Sequence, residues 1–377
     1  MAKIAFINTL KVPSGEASVN RVLSLAKGLT ELGDEVHVIS SNVNPELSNG
    51  ETIDNIKIFN FGRSKGIFGL TGALFRILKK ITISKYDVVI STTNSLLLIY
   101  PLAIACKLSG AKFIQEKSEF PFSLMKKGLF NKLYSKFYVN TTYKLMDGMI
   151  IMTIPLMNYF KDKTRKKCRF IHVPMTVDSS RFNIPKTESE YGDYVAYCGN
   201  MSGNKDGVEN LIKSFSYVLP SCPELKLLLI GGTNDETELT RLKDMAKNVS
   251  STNIIFYGKA DRSRIPFLLK NAKALALARP TSLQSSGGFP TKLGEYLSTN
   301  NPVIVTAVGD IPNYLDDTNS YLVKPDDNEA FGDAIIECIK NPAKSEKKAQ
   351  KAIELVMDVF DYRAQTQKLH DFFISLI

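Results

Sequence analysis

Histidine is nearly missing from this chain: His37, His172 and His370 are the three in 377 residues. His37 and His172 fall in apolar strand-like stretches, where a partnered core histidine is expected, and His370 falls in the last helix. None reads as a general base or a metal ligand. The five cysteines (Cys106, Cys168, Cys198, Cys222, Cys338) are odd in number and far apart. That spacing argues against a disulfide framework or a Cys-rich zinc site and suits a reducing compartment. Long apolar runs are also absent. The most apolar helical stretch, "SLLLIYPLAIACKL" (95–108), is too short to cross a bilayer and reads as a buried core helix. The first residues, "MAKIAFINTL", pattern as a strand start and not as a signal peptide. Neither half of the chain has Gly-x-Gly-x-x-Gly after its first strand, which argues against a dinucleotide-dependent dehydrogenase. Basic-region helices, RNA-recognition signatures, zinc-finger spacings, short-period repeats and low-complexity segments are missing too, so no nucleic-acid partner is expected.

What is present is an ordinary globular composition, 44% hydrophobic and 23% charged. The length exceeds one hydrophobic core and predicts two domains. The net charge of +10 suits an anionic partner, whether nucleic acid, a membrane surface or a phosphorylated substrate, and does not choose among them.

The order of patterns predicts an α/β chain. "KIAFIN", a loop, "VNRVLSLAKGLTELG" and "EVHVIS" read strand, helix, strand, which implies parallel strands and a right-handed crossover. "YDVVIST" (86–92), "AKFIQE" (111–116), "DGMIIMT" (147–153) and "CRFIHVP" (168–174) continue the strands. Residues 173–193, with two prolines and a charged mixture, read as a linker. The rhythm then restarts with "YVAYCGN", a helix at 207–219, "LKLLLIGG", a helix near 235–248, "NIIFYGK", a helix near 263–270, "AKALALA" and "PVIVTA". The last helix, 361–376, carries Tyr362, Leu369, Phe372 and Phe373 and needs a surface to bury them. The expected domains are 1–178 with the closing helix 361–377, and 190–360. Two Rossmann-like, doubly wound domains of this kind bind ligands at the C-terminal ends of their strands.

Two stretches in the second half have the chemistry of an anion site. In "CGNMSGNKDGVENLI" the strand ends at Gly199, and Lys205 stands just before a helix whose positive end faces an anion. The plain alternative is a surface lysine in a loop. In "GGFPTKLGEYLSTNNPVIV" (287–305), Pro290 fits the first helical position. The N–H groups of Thr291, Lys292 and Leu293 then point out of the helix start, with the Lys292 charge beside them. Glu295, one turn on, can accept hydrogen bonds from a ribose diol. Here the plain alternative is a Lys292–Glu295 surface pair worth about 0.3–0.5 kcal/mol. Two sites of one logic in one domain suggest a diphosphate held between two helix starts.

These residues resemble family 4 of the retaining nucleotide-sugar glycosyltransferases, which have the GT-B fold. The matching stretches are "YCGNMSGNKDGVENLIKSF" (197–215), "LKLLLIGG" (225–232), "IIFYGKADRSRIPFLLKNAKALALA" (254–278), "GGFPTKLGEYLSTNNPVIVTAVGDIP" (287–312) and "YLVKPDD" (321–327). "VPMTVDSSRF" (173–182) is similar to the interdomain stretch, and "FDYRAQTQKLHDFF" (360–373) to the closing helix. The resemblance implies two Rossmann-like domains facing a central cleft. It implies that Lys205 binds the donor diphosphate, that Glu295 holds the ribose as the second Glu of a Glu-x7-Glu motif, and that Gly199 with the backbone of Gly288 and Phe289 approaches the phosphates. Two positions depart from the pattern. The first motif Glu is Gly287, and Asn200, still expected to face the donor, stands where the family has an arginine after the first-strand glycine. Lys292 or Arg279 would then supply the missing cation.

The first domain is expected to take the acceptor, a glycan or lipid-linked glycan. Gly15 and Glu16 lie in the loop that resembles the family's Gly-rich one. Lys117 and Glu119, in "QEKSEFPF", follow a parallel strand whose loop would face the cleft, with Glu119 orienting the acceptor and a solvated loop glutamate as the alternative. No Asp-x-Asp motif appears, so no metal is expected. Lys205, Lys292 and helix ends would neutralise the leaving diphosphate. In residues 122–146, Leu129, Phe130, Leu133, Tyr134, Phe137 and Tyr138 recur at helical spacing among Lys126, Lys127, Lys132 and Lys136. That pattern suits an anionic membrane surface, and a cytoplasmic protein peripheral at the inner face, with a core-packed helix that has a solvated basic side as the plain alternative. The expected function is transfer of a sugar from a nucleotide-diphosphate sugar in cell-surface polysaccharide synthesis. The alternatives are a phosphorylase or epimerase on the same fold, or a non-catalytic nucleotide-binding or membrane scaffold.

Overall fold

The computed structural model describes residues 1–377 apart from 15, 43, 46, 63–66 and 122–128, with backbone alone at 67–70 and 129–130. Two compact units emerge. The first comprises Met1–Thr176 and Tyr362–Ile377, the second Val177–Asp361.

The first unit runs β1 (Lys3–Asn8), α1 (Ala17–Glu31), β2 (Glu35–Ser40), β3 (Glu51–Ile53), β4 (Ile56–Asn60), α2 (Ile67–Ser84), β5 (Val88–Ser91), α3 (Leu96–Ser109) and β6 (Lys112–Lys117). It continues with α4 (Leu129–Thr141), β7 (Gly148–Ile151), α5 (Ile154–Lys161) and β8 (Arg169–His172). The strands form one sheet in the order β3-β4-β2-β1-β5-β6-β7-β8, parallel except for the β3–β4 hairpin. The apolar runs do not alternate with polar residues because helices cover both faces. Successive side chains therefore serve two separate cores. Ala5, Ile7, Val89, Phe113 and Ile151 face one. Ile4, Phe6, Val88, Ile90, Ile114 and Ile150 face the other, with Val22, Leu25, Ala26 and Leu29 of α1.

The second unit runs β9 (Tyr194–Asn200), α6 (Val208–Val218), β10 (Lys226–Gly232), α7 (Glu236–Val249), β11 (Ile254–Gly258), α8 (Ile265–Lys270) and β12 (Ala274–Leu277). Then come α9 (Leu283–Gly287), α10 (Thr291–Ser298), β13 (Val303–Thr306), β14 (Tyr321–Val323), α11 (Asn328–Lys340) and α12 (Pro342–Leu355). Its sheet has the order β11-β10-β9-β12-β13-β14. The chain winds outward one way from β9, then returns to β12 and winds the other way. Between β9 and β12 the winding reverses, and such a reversal opens a crevice at the C-terminal strand ends.

The chain then re-enters the first unit as α13 (Tyr362–Ile374). Leu369, Phe372 and Phe373 enter the α1 side of the core, each burial contributing about 1.5–3 kcal/mol. Tyr362 donates to Glu31 at 2.7 Å, and His370 pairs with Asp34 at 2.7 Å. The other histidines are also engaged. His37 meets the Tyr86 hydroxyl at 2.6 Å, with burial lowering its pKa to about 4, and His172 meets the Met152 carbonyl at 3.1 Å.

Three local features differ from the sequence reading. The β3–β4 hairpin and the short α9 carry too few periodic residues to show in a pattern. The stretch 95–108 is not wholly buried: Leu98, Ile99, Leu102, Ala105 and Cys106 are covered, whereas Leu97, Ile104 and Leu108 are exposed.

Candidate functional site

The site is built at the reversal between β9 and β12. After β9 the chain makes a tight loop, closed by its own polar side chains. The Asn200 side chain accepts from the Ser202 N–H at 2.7 Å, and the Asn204 side chain from the Glu209 N–H at 3.2 Å. Glu238 of α7 accepts from the Gly203 N–H at 2.9 Å. Asn200, expected to face the donor, thus spends its side-chain oxygen inside the loop. Lys205 and Asp206 stand on this loop directly before α6.

Gly207 follows at φ +75, and a Cβ there would lie 1.7 Å from the Ala278 carbonyl oxygen. Any side chain at that position would push α6 off the end of β12, so glycine is needed for a close approach as well as for its left-handed backbone.

From the other side, α10 docks on β9 through Tyr296, whose hydroxyl accepts from the Cys198 N–H at 2.7 Å. One turn earlier, Lys292 is thereby brought over the end of β9. A Cβ at Gly199 would sit 2.0 Å from the Lys292 ammonium, so the absence of a side chain at Gly199 makes room for it. The ammonium donates to the Tyr197 hydroxyl at 3.0 Å and lies 4.6 Å from the centre of that ring.

Lys292 is nevertheless not an unengaged cation, and it does not pair with Glu295. Its partner is Asp206, at 2.5 Å. The other Asp206 oxygen lies 3.5 Å from Nε of Arg279, a side chain only 1% exposed. Burial pushes the Asp206 carboxyl up, but Lys292 first, then Arg279, outweigh it and leave it below the ordinary carboxylate range. Lys205 acts in the same direction. One carboxylate therefore faces three cations at the switch point. Asp206 and Tyr197 escaped the sequence reading. The adjacency of Asp206 to Lys205 in "GNKDG" is the signal that could have marked it.

Glu295 has its own partner, Arg181 from the short 3-10 helix Ser179–Phe182 that follows the division between the units. The guanidinium reaches the carboxylate at 3.2 Å. Burial raises the Glu295 carboxyl above its usual value, opposed by Arg181 and more weakly by Arg262 and Lys292. Arg181 lies in the stretch read only as linker, and nothing local marks it as part of a site.

Other expected donor contacts are also placed differently. Pro290 is the N-cap and Thr291 the first residue of α10. The Leu293 N–H, expected to point outward, donates to the Pro290 carbonyl at 3.0 Å, and the Gly288 N–H to Gln284 at 3.2 Å. The Phe289 ring packs 5.6 Å from Tyr314 and 5.6 Å from Phe360, as part of the core.

On the first unit, Glu16 is exposed just before α1, and Glu119 is half-buried after β6. Gly15 lies outside the described residues. Lys117 is buried, contrary to the expectation of a charge facing an open cleft. Its amine donates to Asn94 and lies 5.4 Å from the centre of the Tyr143 ring, and burial lowers its pKa to about 7. The preceding Glu116 is also buried, held by Arg21 of α1 at 2.9 Å.

Lys126 and Lys127 also lie outside the described residues. In α4, Tyr138 turns into the core, whereas Leu133 (60%) and Phe137 (53%) are exposed, beside the exposed Lys132 and Lys136. Tyr100 of α3 stacks on Phe137 at 6.4 Å and donates to Thr141 at 2.5 Å. The outward apolar stripe of α3 therefore continues into α4. Among the described residues no helix is long and apolar enough to cross a membrane.

A model of the family described as glycosyl transferases group 1 matches residues 192–341. A relative in Methanocaldococcus jannaschii, an uncharacterized glycosyltransferase, is 22% identical over 278 residues, 71% of this chain and 67% of its own length. A GDP-mannose-dependent monoacylated alpha-(1-6)-phosphatidylinositol monomannoside mannosyltransferase of Corynebacterium glutamicum is 25% identical over 49% of this chain. The match spans about half of that protein, 51%. Among solved structures, Anabaena HepE in complex with UDP-glucose superposes with a TM-score of 0.76 at 15% identity, covering 100% of both chains. The fold is thus that of the GT-B glycosyltransferases, with two Rossmann-like domains, and this chain is a glycosyltransferase that carries a group 1 glycosyl transferase domain at residues 192–341.

Proposed function

We propose that the protein is a retaining, family 4 glycosyltransferase. It would move a sugar from a nucleotide-diphosphate sugar to a glycan or lipid-linked glycan acceptor in cell-surface polysaccharide synthesis. The observation that carries this reading is the charge excess at the β9–β12 switch point, where Lys205, Lys292 and Arg279 outnumber Asp206. A site of that sign and place suits a pyrophosphate. In the transfer, the bond between the anomeric carbon and the diphosphate oxygen breaks. The acceptor oxygen takes the same carbon, and its proton leaves with the diphosphate. Lys205 and the helix starts would stabilise the charge developing on that leaving group, without a metal. Glu119 would orient the acceptor. HepE's UDP-glucose and the mannosyltransferase's GDP-mannose support a nucleotide-sugar donor.

Glu295 tests the reading. A carboxylate that accepts two ribose hydroxyls contributes charge-assisted hydrogen bonds, and Gln in its place keeps the shape but loses the charge. Glu295→Gln is expected to leave the melting temperature of the empty protein within a few degrees. It should weaken nucleoside diphosphate binding at least about tenfold, or about 1.4 kcal/mol. For a 2′,3′-dideoxy analogue the loss should shrink. Equal losses for both ligands in a calorimetric titration would mean that Glu295 serves Arg181 and not a ribose.

The same reading places the acceptor at a membrane. Leu97, Ile104 and Leu108 of α3 with Leu133 and Phe137 of α4 are exposed. Lys132 and Lys136 among them suit anionic headgroups. Changing both lysines to Gln is expected to weaken binding to phosphatidylglycerol-containing vesicles by about 1 kcal/mol per lysine. Equal sedimentation of variant and parent at matched salt would count against this surface.

A further inference from the structure

The arrangement around Asp206 has a cost for a diphosphate site. Lys292 has two of its donors engaged, one by Asp206 at 2.5 Å and one by Tyr197 at 3.0 Å. Arg279 is held by the same carboxylate at 3.5 Å. A carboxylate among phosphate-binding cations repels the phosphate they attract, and in a partly desolvated crevice that repulsion is stronger than in water. If the site existed only to bind anions tightly, a neutral residue would serve better at this position.

We propose that Asp206 sets the charge of the anion site, so that the departing nucleoside diphosphate is released. The inference rests on the donor reading above. A nucleotide-diphosphate sugar carries about two negative charges on its diphosphate, whereas the nucleoside diphosphate left after transfer carries about three. Electrostatic repulsion scales with ligand charge, so Asp206 weakens the product more than the donor. With the carboxylate in place, Lys292 and Arg279 present a net charge of one. Without it they would present two and favour the product over the donor by a wider margin. Asp206 is therefore a specificity-determining residue, acting on the ligand's charge and touching neither sugar nor base. Its position supports this. It is next in sequence to Lys205, at the N-terminus of α6, and it fixes Lys292 over Gly199 at the strand end.

The test uses inorganic pyrophosphate, which reads the charge of the site without a base or ribose, alongside UDP, GDP and ADP. Four proteins are compared by calorimetry at constant salt: the parent, Asp206→Asn, Lys292→Met and the double variant. The local charge predicts affinity in the order Asp206→Asn, then parent and double variant together, then Lys292→Met. Asp206→Asn should bind pyrophosphate about tenfold more tightly than the parent. Its inhibition by the nucleoside diphosphate should tighten by a larger factor than its KM for the nucleotide sugar falls. A folded Asp206→Asn that binds pyrophosphate no more tightly than the parent overturns the proposal. So does equal tightening for product and donor. If Asp206→Asn alone does not fold, the comparison of Lys292→Met with the double variant decides. Adding Asp206→Asn to Lys292→Met must tighten pyrophosphate binding, and no change overturns the idea. Failure of the donor reading is separate, since it would show as a parent that binds none of the three nucleoside diphosphates.

Discussion

Replacing Glu116 with Gln is expected to destabilise the first unit by about 3–5 kcal/mol, the cost of breaking one partner out of a buried ion pair. Arg21 and Glu116 are 3% and 8% exposed. The guanidinium has no water to turn to when the carboxylate loses its charge. It has three engagements: Glu116 at 2.9 Å, the Pro174 carbonyl at 2.6 Å and the Val173 carbonyl at 2.7 Å. One side chain thus ties α1, β6 and the chain leaving β8 together, immediately before the second unit begins. Gln keeps an acceptor for Nε but leaves the buried positive charge uncompensated. Chemical denaturation followed by far-UV circular dichroism would measure the loss. The double change Arg21→Met with Glu116→Leu should recover part of it, because no charge is then buried, although two carbonyls lose their donor. A loss below about 1 kcal/mol in Glu116→Gln would mean that water or a shifted Arg21 compensates the charge, and that this pair does not hold the unit together.

Lys205→Ala is expected to weaken nucleoside diphosphate binding by about 1.5–3 kcal/mol, the range for a hydrogen bond to a charged group. The effect should fall on binding and not on folding. The loop that carries Lys205 is closed by Asn200, Asn204 and Glu238, and none of these bonds uses the lysine side chain. Lys205 is half-exposed, whereas Arg279 is buried, so Lys205 is more open than Arg279 to a ligand from solvent. A titration that shows unchanged affinity, with an unchanged melting temperature, would remove Lys205 from the site.

The chain order itself determined much of this protein. A strand buried on both faces must be a continuous apolar run, and "KIAFIN", "YDVVIST", "YVAYCGN" and "LKLLLIGG" are such runs. Alternation of these with amphipathic helices forces parallel sheets and crossovers. The two-unit, doubly wound architecture was therefore legible without coordinates, as was the place of Gly199 at the end of β9 and of Lys205 just before α6. Their requirement is local: a tight turn at a strand end and a cation at a helix start. The last helix was legible as well, because Leu369, Phe372 and Phe373 on one face demand a cover.

Which charge meets which was not legible, because it depends on elements far apart in sequence. The spacing of Lys292 and Glu295 suggests an intrahelical pair. In the fold, Tyr296 docks α10 against β9, and that contact rotates Lys292 toward Asp206, 86 positions away, and Glu295 toward Arg181, 114 away. A buried pair in low dielectric outweighs a surface pair, so the packing of α10 decided the partners and not the spacing. Lys117 follows the same rule. In sequence it is expected to face an open cleft, and in the fold it is buried between Asn94 and the Tyr143 ring. Periodicity records which face of an element is apolar. It holds no record of which partner a polar side chain finds once the elements have packed, and in this protein those partners set the charge of the candidate site.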